Sequence, residues 1–249
     1  MNIKKAVISA LAYHDIFEYP LNEDEILDFL EVKSNPKSLK KVLLSLEKNN
    51  LIKKEDEYYY LDNKNVIFKR KTRLTHSKKK NAFIILYTIL LSLIPSIEFI
   101  GLTGALAMSN SKKNDDIDLM IISSRNSVWS TRLIANLVLI VFKRRPKEKK
   151  QNNKACLNIF LDKQNLLIQN QSLYTAHELV QTKVLLNRNR TYEELLKTNK
   201  WVHKYLPNWK PNSVKASYKL PVLLMPNAIE AFLAKLQLKY MKNKKTSAC

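Results

Sequence analysis

Apolar positions in the first sixty residues recur at helical spacing. Ile3, Val7, Ile8 and Leu11 form one stripe; Ile26, Leu27 and Leu30 form a second behind a capping Asn22; Leu39, Val42, Leu43 and Leu46 form a third behind Pro36. The stretch LIKKEDEYYYL then changes period. Its polar KKEDE turn separates Leu51–Ile52 from β-favouring Tyr58–Leu61, which predicts a short hairpin. From Asn81 the pattern predicts a helix over 82–94 stopped by Pro95, a strand Ile97–Leu102, a glycine turn, a polar loop, and a strand Ile117–Ser123. A helix Val128–Phe142 follows, with Trp129, Leu133, Leu137 and Val141 on one stripe, then a basic loop and a strand Ala155–Leu161. Beyond Gln171, helical spacing covers Leu173–Leu186, Tyr192–Tyr205 and Ala228–Met241, with a proline-rich stretch from Pro207 to Pro226 between the last two.

Composition bounds what such elements can form. With 249 residues, 45% of them hydrophobic and 26% charged, the chain can bury a core and is not of disordered type. The longest apolar run, Ala82 to Ile94, is broken by Thr88 and Ser92 and is shorter than the ~20 residues of a membrane span. The opening MNIKKAVISALAYHD lacks the long apolar centre of a secretory signal. Two cysteines, Cys156 and Cys249, are too few for a disulfide framework or a cysteine metal site, so a cytoplasmic setting is expected.

The formal charge of +21 is uneven. Residues 1–77 hold 14 basic and 12 acidic side chains, whereas residues 78–249 hold 29 and 10. The positive field therefore belongs to the second part, where it would draw in a polyanion such as a nucleotide or nucleic acid. An excess of Lys over Arg, 35 to 8, fits a genome-wide compositional bias as well. The run KRKTRLTHSKKK, from Lys69 to Lys80, holds seven bases and no acid and is expected to be a linker or an exposed helix start. His76 within it has no neighbouring His or Cys and takes no role. His177-Glu178 lacks the second histidine of a zinc protease helix, since Gln181 stands there, and Trp201, Tyr205 and Trp209 fit core packing better than base stacking.

Glycine is the telling count. Average usage would give about 17 in this length, and the chain has two, Gly101 and Gly104. Glycine is required where the backbone takes positive φ or comes close to another group, so these two mark such places. Twelve residues after Gly104 comes Asp116-Ile117-Asp118, leading into the apolar run Leu119–Ile122. Residues i and i+2 of a strand share a face about 6–7 Å apart, so both carboxylates converge at the strand's start. Such a pair suits Mg²⁺, which takes oxygen ligands and is commonly held by one or two carboxylates together with substrate phosphates. Asp115, Asp116 and Asp118 are the only acids between Glu98 and Glu148, in a stretch that includes Lys112, Lys113, Arg125, Arg132, Lys143, Arg144, Arg145 and Lys147.

Leu102-Thr103-Gly104-Ala105 followed by Asp116-Ile117-Asp118-Leu119 resembles the signature of the polymerase β-type nucleotidyltransferase superfamily: an apolar strand, Gly-Ser, a spacer, then Asp-x-Asp-Leu. The resemblance spans residues 80–165. It implies that Asp116 and Asp118 are catalytic residues ligating two Mg²⁺ (or Mn²⁺) ions, and that Thr103, Gly104 and Ala105 line the nucleotide's phosphates. It also implies in-line attack of an acceptor hydroxyl on the α-phosphate. Two positions depart from the family pattern. Ala105 stands where the family has Ser, and Asn158, the one polar residue of CLNIFL, stands where a third carboxylate would be. Asn158 can offer an oxygen, and is expected to be nucleotide-binding with Thr103, Gly104 and Ala105, but cannot take a proton, so Asp162 and Glu178 are the nearest acids that could substitute. The N-terminal three helices and hairpin resemble a winged helix-turn-helix, in which Pro36 to Asn49 would present Lys37, Lys40, Lys41 and Lys48 to DNA.

The fold class expected is α+β. A winged-helix-like module occupies 1–66, a basic linker 67–80, a small mixed-sheet nucleotidyltransferase core 81–168, and a mainly helical region 169–249. The activity expected is transfer of a nucleoside monophosphate from a nucleoside triphosphate to an acceptor hydroxyl on RNA, protein or a small molecule. The alternative is a non-catalytic nucleotide-sensing or DNA-binding regulator.

Overall fold

The computed structural model describes residues 2–62, 65–142, 152–211 and 226–243. The basic loop at 143–151 and most of the proline-rich stretch, 212–225, lie outside the described residues. The fold is α+β, and the chain forms two compact units, each assembled from separate stretches of sequence.

The first unit comprises Met1–His76, Gln169–Val180 and Lys200–Ser213. Helices α1 (Ile3–Asp15), α2 (Glu23–Phe29) and α3 (Pro36–Lys48) are each started by an asparagine, at 2, 22 and 35, whose side chain accepts an N–H three residues on. The Asn22 cap is reciprocal, since Glu25 accepts from the Asn22 amide. Strands β1 (Lys53–Glu55) and β2 (Tyr58–Tyr60) form the hairpin, and Leu21 adds one antiparallel bridge to Tyr59. The order of parts is winged-helix-like, as expected. Lys37, Lys40, Lys41 and Lys48 are all exposed on α3.

The basic run is helical, and the two units divide within it, between His76 and Ser77. It forms α4 (Val66–Lys79), and Arg70 and Arg73 are buried. The Arg70 guanidinium lies 3.6 Å over the Tyr19 ring and donates to Glu25 at 2.9 Å, while Arg73 pairs with Glu18 and donates to the Phe17 carbonyl at 3.0 Å. Planar guanidinium groups can be buried when stacked and paired in this way, which a count of charges along the chain does not reveal. The later stretches complete this unit. His177, from α8 (Leu173–Gln181), stacks on Tyr13 at 4.2 Å and meets His14 at 5.1 Å and Phe29 at 4.9 Å. Asn208 accepts from the Ser34 amide and donates to the Val32 carbonyl.

The second unit comprises Ser77–Ile168, Gln181–Asn199 and Val214–Cys249. Its strands β3 (Ile97–Leu102), β4 (Ile117–Ser123), β5 (Ala155–Asp162) and β6 (Lys183–Asn187) form one mixed sheet in the order β5-β4-β3-β6. Only β4 and β5 are parallel, joined through α7 (Val128–Val138) as a parallel pair requires. The core lies between the sheet and α5 (Asn81–Ser92) and α7, and includes Tyr87, Leu91, Ile100, Leu119 and Ile121. Helices α9 (Thr191–Thr198) and α11 (Asn227–Asn243) belong to this unit, and the short α10 (Val202–Tyr205) to the first. Between β3 and β4 lies α6 (Gly104–Ala107), a single turn.

One expected helix divides. Leu173–Leu186 is helical only to Gln181, after which Lys183–Asn187 pairs antiparallel with β3. Apolar Val184, Leu185 and Leu186 satisfy either period, and the open edge of β3 decides between them. Gly101 lies where β6 crosses β3: a Cβ there would stand 2.6 Å from Thr182 Cγ2 and 2.7 Å from Phe99 Cε1. At the other end of the unit, both carboxylate oxygens of Glu230 on α11 accept the amides of Trp129 and Ser130, at 3.0 and 2.9 Å, in the first turn of α7. Gln237 adds a bond to the Trp129 carbonyl. No helix among the described residues is long and apolar enough to cross a membrane.

Candidate functional site

The site is built where β3 ends and β4 begins. Leu102 pairs with Leu119, and the Thr103 amide donates to the Asp118 carbonyl at 3.0 Å, so the bend after β3 is tied to the acidic start of β4. Gly104 takes φ +64°, a conformation that costs other residues energy. A Cβ on Gly104 would stand 2.7 Å from Asp118 Oδ2, well inside contact distance. The bend therefore faces the carboxylate, and glycine is needed there for both shape and room. Ala105 is exposed on α6, and its carbonyl accepts the Asn110 amide at 2.8 Å, closing the turn. Thr103 is buried, and its Oγ1 has no hydrogen-bond partner. A buried hydroxyl left without a bond is costly, and it sits at the bend itself.

Asp116 and Asp118 are half-buried and flank the buried Ile117, whose amide donates to the Lys154 carbonyl at 2.9 Å. The third group at this place is one that sequence reasoning missed. Cys156 is in register with Asp118 on the parallel neighbour β5, and its Sγ and one carboxylate oxygen from each of Asp116 and Asp118 all lie within 4.8 Å of one another. Cys156 carries no free thiol, so its sulfur adds proximity and not a thiolate ligand to the two carboxylates. Asn158 is placed differently from the other candidates. The β4–β5 register shifts between Leu119 and Met120, Leu157 pairs with Leu119 and Ile159 with Met120, and Asn158 is the extra residue between them, exposed. It is opposite neither carboxylate.

Of the substitute acids, Asp162 is not at the site. Asp162 ends β5 and accepts the amides of Asn126 and Gln164, at 2.8 and 2.7 Å, at the far end of the sheet from Asp116. Glu178 belongs to the first unit, where burial pushes its carboxyl up. Of the bases that neighbour the acids in sequence, Lys143, Arg144, Arg145 and Lys147 lie outside the described residues, as does Cys249.

A base distant in sequence is present instead. Lys80, at the start of α5, is 2% exposed, and its Nζ donates to the Asp115 carbonyl. Burial pulls its ammonium below the usual lysine range, while Asp115, Asp116 and Asp118 all push it back up. Asp115 itself accepts the Lys112 amide at 2.7 Å through its side chain, which fixes the loop ahead of β4.

The donor set is the two carboxylates, since the Cys156 sulfur is not a free thiol. Two carboxylates fit a hard divalent ion such as Mg²⁺ or Mn²⁺, whereas sulfur is a poor partner for magnesium. The residues present therefore accommodate the metal through Asp116 and Asp118.

The chain matches no protein-family model and no curated protein. A solved structure described as the crystal structure of the toxin-antitoxin with AMP-PNP matches 48% of this chain and 89% of its own, at 15% identity and a TM-score of 0.27. A superposition that loose bears on neither fold nor chemistry.

Proposed function

We propose that the second unit is a metal-dependent nucleotidyltransferase acting on a nucleoside triphosphate and an acceptor hydroxyl. The observation that supports this reading is the shared space at the bend: glycine with positive φ, and a missing Cβ whose place lies 2.7 Å from one of two neighbouring carboxylates. Asp116 and Asp118 hold the divalent ion. When bound, that ion neutralises phosphate charge and polarises the α-phosphate.

The chain's own groups supply the rest. The absence of a side chain at Gly104 lets a phosphate approach the backbone beside Asp118. Because α6 is one turn long, close approach matters there more than any helix dipole. Thr103 Oγ1 is a hydroxyl without a partner at the place where the Ala105 methyl offers none. In the reaction, the acceptor oxygen bonds to the α-phosphorus and the bond from that phosphorus to the bridging oxygen breaks. Pyrophosphate leaves, and the hydroxyl proton passes to water, since Cys156 and not a carboxylate stands opposite Asp118. Slow turnover follows from that last substitution.

The test is label transfer. The chain is incubated with Mg²⁺ or Mn²⁺ and α-labelled nucleoside triphosphates in the presence of RNA, protein or the chain itself, and compared with Asp116→Ala/Asp118→Ala. Label retained by the double variant removes the site from consideration. Cys156 in place of an acid favours a second reading, nucleotide binding without transfer. Saturable triphosphate binding that needs both aspartates, with no labelled product, selects it.

A further inference from the structure

Resting on the reading of Asp116 and Asp118 as metal ligands, we infer that this site takes one divalent ion, with the Lys80 ammonium supplying the positive charge that a second ion would otherwise bring. The geometry comes from two independent elements. On β5, the position in register with Asp118 is Cys156, so among the described residues there is no third carboxylate to share between two ions. On the approach to α5, Lys80 is buried and held in place by the Asp115 carbonyl, and its charge is felt by Asp115, Asp116 and Asp118 together.

Charge balance then limits occupancy. With Asp115 counted beside the two ligating carboxylates, one ion and Lys80 set three positive charges against three negative, whereas a second ion leaves an excess of two in the metal-loaded protein without nucleotide. Lys80 is largely withdrawn from solvent, so its repulsion of a second cation is screened less than that of a surface lysine. The same charge also acts on the first ion. Through the same field Lys80 weakens that ion's binding.

The experiment uses the full chain and Mn²⁺ alone, followed by titration calorimetry and by electron paramagnetic resonance. Wild type is expected to bind one Mn²⁺ and to give the spectrum of an isolated ion even at excess metal. Lys80→Met, matched in length and apolar, removes a like charge and is expected to bind Mn²⁺ roughly tenfold more tightly; Lys80→Arg keeps the charge and stays near wild type. If Lys80 only props up the Asp115 carbonyl, the sign reverses, and weaker Mn²⁺ binding by a folded Lys80→Met overturns the inference. So does a second Mn²⁺ in wild type with a coupled-pair spectrum, a result that stands even if Lys80→Met does not fold. Two ions together with aspartate-dependent label transfer refute the inference and leave the proposed activity intact; no Mn²⁺ binding at all refutes the metal site itself.

Discussion

Replacing Gly104 with alanine adds one methyl group at the point where the bend meets Asp118, and its effects can be worked out term by term. The backbone there has φ +64°, so a Cβ costs about 1–2 kcal/mol in conformation alone. The new methyl would also stand 2.7 Å from Asp118 Oδ2, forcing the carboxylate to turn away, at roughly 0.5–1.5 kcal/mol for a side chain pushed off its rotamer. Together these come to about 2 kcal/mol, a fall in melting temperature of roughly 4–8 °C for a chain of this size. Mn²⁺ affinity should fall at least tenfold as one ligand swings out. A double-mutant cycle isolates the second term. In an Asp118→Ala background no carboxylate remains to displace, so Gly104→Ala should cost only the conformational part, leaving a coupling of about 1 kcal/mol. Thermal denaturation of the four proteins and Mn²⁺ titration of wild type and Gly104→Ala give every quantity needed. If the costs are additive to within roughly 0.5 kcal/mol and Gly104→Ala binds Mn²⁺ like wild type, the bend and the carboxylate do not share a space and the site is misassembled here.

Two further outcomes concern the scaffold. Burial holds the His14 imidazole down at about 4 and that of His177 at about 3, below the ordinary 6.5, so the unfolded chain takes up protons that the folded one refuses. Stability is then full above about pH 6.5 and declines as pH falls toward 4, by about 3 kcal/mol for His14; urea titrations across that range should show the slope, and His14→Leu should remove the share of His14 and leave that of His177. Removing the Glu230 carboxylate with Glu230→Ala leaves the Trp129 and Ser130 amides without their acceptors at a cost of about 2 kcal/mol, and trypsin should cut at Lys235 and Lys239 faster than in wild type.

What could be read ahead of the structure depended on whether the signal was local. Asp116 and Asp118 share a strand, so their common face follows from spacing two, and the shortage of glycine pointed to Gly104 before any coordinates. The α+β class, the winged-helix order and the helical C-terminal region followed from periodicity in the same way. Cys156 could not be found so, because its place depends on where β5 slips against β4, and the bulge at Asn158 is a property of the pair and not of either strand. The burial of Lys80, Arg70 and Arg73 was equally hidden: each is compensated by groups far along the chain, the Asp115 carbonyl, Glu25 with the Tyr19 ring, and Glu18. Strand β6 was masked by apolar residues that serve a helix or a strand equally well, until an open sheet edge was there to receive them.

Because the first unit takes its pieces from both ends of a long intervening segment, its completion is tied to the order of synthesis. Tyr13, His14 and Phe29 emerge early, but the imidazole that stacks against them belongs to residue 177. At ribosomal rates of about 5–20 residues per second, that sticky aromatic face waits on the order of ten to thirty seconds for its cover. During that interval the nascent chain is open to chaperones, and to any neighbour offering a ring of its own.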